Sequence, residues 1–318
     1  MAAPTRVLVI HLAGLGDLVV SLPALAALRR SWPDARIVFV GDADPRQVVD
    51  MAGLGLELAP AADLPWRALW DRSVQEAPAE LGQWDLALEL WTAGGRLERY
   101  AALTGARALG LPPDPGTYVL GTMARRAWWW ACQTFGLEGA YEDTKLCPGV
   151  DRRDDLDRFL RGRGVNPPFV LLHPGAGAQY KCWPEGCFWD VARRLRSRAG
   201  VQVVVVLGPR ESGRGMVAPP DAQDYTMHEP EIADFAAAVG LADLYIGNDS
   251  GASHVAVWTY PPGRGRTPCV ITFARLNVRN WATAAPWVTI LPFSCAVPEA
   301  LTAEAVYNEA VRRLGETR

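Results

Sequence analysis

The chain has no apolar run close to the roughly 20 residues that a membrane-spanning helix needs, which excludes a helical anchor. It has no excess of either charge. Lys plus Arg is 32 and Asp plus Glu is 35, a formal net charge of −3, which excludes a basic nucleic-acid coat as the main feature, and no nucleic-acid partner is expected. It has no CxxC pair among Cys132, Cys147, Cys182, Cys187, Cys269 and Cys295, and no tight ligand spacing between these and its four histidines. Neither a disulfide framework nor a metal site is expected. The opening MAAPTRVLVIHLAGLGD shows no signal-peptide pattern, so the expected location is cytoplasmic.

What is present describes a folded α/β protein. Hydrophobic residues make up 49% of 318 residues and charged residues 21%, with 30 Gly and 25 Pro to supply turns. Short β-branched runs alternate with longer helical patterns, the mark of βα units on a parallel sheet. Val7–Ile10, Ile37–Val40 and Leu86–Leu90 read as strands. Between the first two, a helical pattern runs to about Arg30, with Pro23 expected to kink it. A second set follows: strands at Phe169–Leu172, Val201–Leu207, Leu244–Gly247, Cys269–Phe273 and Trp287–Ile290, and helices at Phe188–Arg198 and Pro230–Leu241. Thr302 reads as an N-cap, with Leu301 and Val306 as a hydrophobic staple; that last helix should stop near Leu314, before Gly315.

The expected architecture is two doubly wound, Rossmann-like domains facing each other across a cleft, residues 1–155 and 156–318, with the final helix able to pack back on the first. The trio Trp128, Trp129 and Trp130 cannot share one narrow helix face and reads as a helix buried nearly all round between the domains. In open α/β sheets ligands bind beyond the carboxyl ends of strands, so the loops there hold the candidates.

Four such loops stand out. In HLAGLGD, Gly14 and Gly16 allow a tight turn, and Asp17 is either a helix cap or a base that takes a proton from a hydroxyl. The pattern is not the dinucleotide fingerprint GxGxxG. In HPGAGAQYKCWP, Lys181 is a solvated lysine or a cation above a phosphate, His173 is structural or catalytic, and Trp183 is expected in the core. In LGPRESG, Glu211 is an ordinary loop acid or a ribose ligand. In YIGNDSGASH, Ser250 and Gly251 fall at a helix start whose N–H groups and dipole suit an anion. There Asp249 holds the loop or binds hydroxyls, and His254 faces phosphate or packs.

These pieces, in this order, resemble glycosyltransferase family 9, the family of the ADP-heptose:lipopolysaccharide heptosyltransferases, along essentially the whole chain. The Leu15-Gly16-Asp17 run resembles the family's N-terminal motif, Lys181-Cys182-Trp183-Pro184 its Lys-x-Trp-Pro motif, and Asp249-Ser250-Gly251 with His254 its donor-phosphate motif; Glu211 falls at its nucleoside-binding glutamate. The resemblance implies a GT-B fold and an inverting transfer that needs no metal or other cofactor. Asp17 is then the base, and Lys181 the catalytic cation on the leaving group. Gly16, Lys181, Glu211, Asp249, Ser250, Gly251 and His254 are the residues about the donor, an ADP-heptose or another nucleotide sugar. The acceptor is a glycan or glycolipid, with peripheral contact to the inner membrane. His11 and Ala13 stand where lipopolysaccharide enzymes often carry a basic residue and a serine, and residues 259–266 read as an insertion.

Arg67, Arg72, Arg96, Arg99, Arg125 and Arg126 read mostly as solvated, some as lining an acceptor groove beside Trp66, Trp70, Trp84 and Trp91. The competing readings are a GT-B enzyme that uses a UDP- or GDP-sugar, a Rossmann oxidoreductase, which the missing fingerprint opposes, and a non-catalytic glycan- or nucleotide-binding protein.

Overall fold

The computed structural model describes residues 3–11, 14–41, 46–63, 65–90, 96–112 and 122–316. Ala13, Trp91 and most of the proline-rich stretch after Leu111 lie outside them. The chain divides into two compact units, Met1–Thr144 and Lys145–Arg318.

The first unit holds a parallel five-stranded sheet: β1 (Arg6–His11), β2 (Arg36–Gly41), β3 (Glu57–Pro60), β4 (Leu86–Glu89) and β5 (Arg107–Gly110), in the order β3-β2-β1-β4-β5. Its helices are α1 (Leu15–Ser31), α2 (Arg46–Met51), α3 (Leu97–Thr104) and α4 (Met123–Phe135). Leu8, Ile10, Val38, Val40, Ala87 and Tyr100 meet in its core.

Some expectations for this unit change. The first helix runs unbroken through Pro23, from Leu15 to Ser31. α4 is not buried all round. Ala124, Ala127 and Ala131 form its buried stripe and pack on α1, because small side chains let the two helices approach closely. Trp128 and Trp130 are half-buried and Trp129 is 40% exposed. Arg99 is not solvated: its guanidinium donates to the carbonyls of Ala68, Leu69, Asp71 and Val74 and pins that loop. Trp84 is buried and meets Trp66 edge-on, while Arg6 covers it at 4.7 Å.

The second unit holds a parallel six-stranded sheet: β6 (Phe169–His173), β7 (Gln202–Leu207), β8 (Tyr225–His228), β9 (Leu244–Asn248), β10 (Cys269–Ala274) and β11 (Val288–Phe293), in the order β11-β10-β9-β6-β7-β8. Around it lie α5 (Val150–Gly162), α6 (Glu185–Arg198), α7 (Pro209–Gly213), α8 (Ile232–Leu241), α9 (Gly251–Trp258), α10 (Val278–Trp281) and α11 (Ala303–Glu316). The charged run before Pro167 is α5, which packs on α8. α11 packs on α6 and continues through Gly315. Its N-cap is Thr302, whose hydroxyl accepts the Ala305 N–H at 3.2 Å, with Val306 in the core beside Leu301. The 259–266 segment is tied to its own unit. Arg264 donates to the Gly240 and Leu241 carbonyls and pairs with Asp243, and Arg266 stacks on Trp287 at 4.4 Å and lies over Trp258 and Tyr260. All six cysteines are free thiols.

Both orders are doubly wound. In the first sheet the winding reverses between β1 and β4, and in the second between β6 and β9. A crevice forms at the carboxyl edge where neighbouring connections leave in opposite directions.

Candidate active site

In the second unit the reversal point gathers most of the residues singled out from sequence. The loop after β6 carries Lys181 at the end of a 3-10 turn, Gln179–Lys181. The turn after β9 carries Asp249 and Ser250 into α9. Asn248 joins the two loops: its amide donates to the Pro174 carbonyl at 2.6 Å, and its oxygen accepts the Trp183 N–H at 2.9 Å and the Thr272 hydroxyl at 2.7 Å. Trp183 is buried, as expected, and meets Phe188 edge-on. A core tryptophan thus fixes the chain just after Lys181.

Asp249 is 1% exposed. A carboxylate so buried needs compensation. Two donors converge on its Oδ2, the Asn277 amide at 2.8 Å and Lys181 Nζ at 3.2 Å. Among the described residues its Oδ1 accepts no hydrogen bond, and His254 Nε2 lies 3.9 Å from it. Its backbone N–H is fixed to the Thr272 carbonyl at 2.9 Å. His254 is buried, and desolvation pushes its pKa down to about 4; Asp249 opposes that shift and Lys181 adds to it. The imidazole is therefore neutral at pH 7.

Ser250 is the N-cap of α9, its hydroxyl accepting the Ser253 N–H at 3.2 Å. Helix geometry leaves the first N–H groups, at Gly251 and Ala252, without intrahelical partners. They and the positive end of the helix dipole form a cradle for anionic oxygen.

Glu211 lies in α7, after β7, and is 3% exposed. Its Oε2 accepts the Gly208 N–H at 3.1 Å, and His173 Nε2 is 3.6 Å away. Burial works to raise its pKa, but His173 and the Gly208 N–H outweigh it and hold the acid below the usual carboxylate range. Gly175 faces this carboxylate, and a Cβ there would overlap it. The loop between is tied down by Arg210 on the Gly177 carbonyl and Arg214 on the Ala176 carbonyl.

In the first unit the reversal point carries a different set. Asp17 is the third residue of α1 and half-exposed; its Oδ2 accepts the Gly14 N–H at 3.1 Å. It caps the helix with one oxygen, and Gly16 lies in the same first turn. His11 ends β1, buried against Phe39, and desolvation pushes its pKa down to about 4. On β4, in register with Ile10, lies Glu89, 5% exposed, whose pKa burial raises to about 7 against the influence of Arg96 and Tyr100.

So Lys181, Asp249, Ser250, Gly251 and His254 come together, with Glu211 on the neighbouring strand end, while Asp17 and Gly16 belong to the other unit. Two further residues carry no sequence signal of their own: Asn248, inside the YIGNDSGASH loop, and Asn277, which stands in no motif. Among the described residues, no group of three His, Cys, Asp or Glu side chains is placed to hold a metal ion. Among the same residues no helix is long and apolar enough to cross a membrane.

Comparison with known proteins bears on the family and the fold. The family model of glycosyltransferase family 9 (heptosyltransferase) matches residues 126–259. That segment includes Lys181, Glu211 and the Asp249–His254 turn, and leaves out Asp17. Lipopolysaccharide heptosyltransferase 3 of Escherichia coli K12 is 24% identical over 301 residues, covering 86% of this chain and 82% of its own. The family 9 glycosyl transferase of Veillonella parvula superposes with a TM-score of 0.77 at 17% identity, covering 98% of both chains. The E. coli ADP-heptose lps heptosyltransferase II superposes at 0.74 and 16% identity, over 98% of this chain and 99% of its own. Two parallel, helix-flanked sheets arranged in this order are the GT-B fold of those structures. The chain is homologous to the glycosyltransferases of family 9, the heptosyltransferase family.

Proposed function

We propose that the chain is an inverting glycosyltransferase that moves a heptose, or a related sugar, from an ADP-sugar to a glycan or lipopolysaccharide-type acceptor. The observation that carries this reading is the meeting of Lys181 with the α9 N-terminus at the reversal point of the second sheet, with Asp249 between them. A cation and a helix N-terminus together suit a diphosphate. Homology to family 9 supports the transferase chemistry, and the similarity to an ADP-heptose heptosyltransferase favours that donor.

In the proposed reaction the donor diphosphate sits against Lys181 and the amides of Gly251 and Ala252. Glu211 takes the ribose hydroxyls. The acceptor hydroxyl gives its proton to Asp17 as its oxygen attacks the anomeric carbon. The bond from that carbon to the diphosphate oxygen breaks on the opposite face, so configuration inverts and ADP leaves. Charge on the leaving oxygen grows along the path, so Lys181 and the helix N-terminus bind the transition state more tightly than the substrate. Gly16 sits in the turn that presents Asp17.

The first experiment measures nucleotide release from ADP-heptose, UDP-glucose and GDP-mannose with a heptose-accepting core glycolipid. Acceptor-dependent ADP release, with no release from the other two, supports the reading. Release of UDP or GDP in its place moves the donor to another nucleotide sugar. Binding of glycan without turnover of any donor indicates a non-catalytic protein. Recovery of the chain with inner-membrane vesicles after flotation tests the proposed cytoplasmic, membrane-peripheral location.

A further inference from the structure

Asp249 is a nearly fully buried carboxylate with two donors on one oxygen, and the two donors differ in kind. Asn277 is neutral, itself 7% exposed, and comes from the segment that follows β10. Lys181 is charged, its side chain 23% exposed, and comes from a short 3-10 turn after β6. Of the two, the lysine is the one more open to solvent. Beyond it, Trp281 of the Asn277 segment places its ring 5.7 Å from Nζ.

A lysine held by a buried carboxylate is a poor phosphate ligand, because taking it away strands a desolvated negative charge. Whatever else stabilises Asp249 lowers that cost. The structure offers one strong hydrogen bond that survives the departure of Lys181, the one from the Asn277 amide. We infer that Asn277 is a positioning residue: by holding Asp249 Oδ2 it frees Lys181 to exchange from the carboxylate to an incoming diphosphate. This rests on the donor-site reading above and adds a residue that belongs to none of the four sequence motifs. Without the amide, Lys181 is left as the strong partner of Oδ2 among the described residues and stays on it. Asn277 itself need not touch the ligand.

A double-mutant cycle read by calorimetry tests this, with inorganic pyrophosphate as the probe so that the choice of nucleoside does not decide the outcome. Asn277→Ala should weaken pyrophosphate binding about tenfold in the wild-type background, and by less than about twofold when Lys181 is already Ala. A merely structural role would lower the unfolding temperature and weaken binding by the same factor in both backgrounds. That result, an unchanged affinity in folded Asn277→Ala, or a wild type that binds no pyrophosphate would overturn the inference. Should Asn277→Ala not fold, Asn277→Ser keeps a polar side chain but draws the donor back from Asp249, and the same two factors apply. Retained pyrophosphate coupling with no ADP binding would sink the ADP reading alone.

Discussion

Lys181 Nζ lies 3.2 Å from Asp249 Oδ2, joining the loop after β6 to the turn after β9. The carboxylate is buried and the ammonium partly open, so the lysine is the member of the pair that solvent reaches. The pair places a cation beside the start of α9.

Asp17 is proposed as the base, and its Oδ2 accepts the Gly14 N–H. Asp17→Asn keeps an acceptor oxygen for that bond and loses basicity. Sugar transfer should fall at least a hundredfold with ADP affinity unchanged, measured by product formation and calorimetry. Transfer at a near-normal rate would remove Asp17 from that role.

His254 and His11 set an acid limit on stability. Their pKa of about 4 in the folded protein lies below the ordinary 6.5, so the unfolded chain binds protons first as the pH falls. Each neutral imidazole costs nothing above pH 6.5, and the penalty grows between 6.5 and about 4, reaching about 3 kcal/mol per residue. His254→Gln should therefore narrow the loss of stability between pH 7 and pH 5, read by urea unfolding at both. An unchanged difference would contradict the burial argument.

Glu89 acts in the opposite direction. Burial raises its pKa to about 7, so the folded state binds a proton that the unfolded chain has lost. Its contribution is complete below about pH 4.5 and is lost as the pH rises to about 7. Glu89→Gln should be more stable than wild type at pH 8 by about 1–3 kcal/mol and nearly equal to it at pH 4.5. Denaturant curves at the two values measure this.

Gly175 stands where a side chain would displace the Glu211 carboxylate. Gly175→Ala should weaken ADP binding about tenfold and leave pyrophosphate binding as it was, because only the nucleoside depends on Glu211. Equal losses for both ligands would show that the change disturbs the whole loop.

Much of this was legible in the sequence. β7 is a β-branched run, and buried parallel strands read that way. The strands that did not announce themselves are short: Glu57–Pro60, Arg107–Gly110 and Tyr225–His228 span four residues each and carry little β-branched content. β3 and β8 lie at sheet edges, where a strand needs less apolar surface. α4 departs from the expectation that three adjacent tryptophans make a helix buried nearly all round. Its packing face is alanine, since close approach to α1 leaves no room for indoles.

The site divides in the same way. Asp249, Ser250, Gly251 and His254 lie in one short motif and Lys181 in another, and chemistry alone made each a candidate. Asn277 follows a different strand in a segment of no marked composition. Only the fold brings β10 alongside β9 and so sets its amide against Asp249. A long-range hydrogen bond from a common residue leaves no local trace.

The most direct measurement is calorimetric titration of ADP into wild type and Lys181→Ala at pH 7. Wild type should bind, and loss of one charged partner should weaken binding about ten- to a hundredfold. Equal affinity in the two proteins, or no binding to wild type, would contradict a diphosphate held at the reversal point of the second sheet.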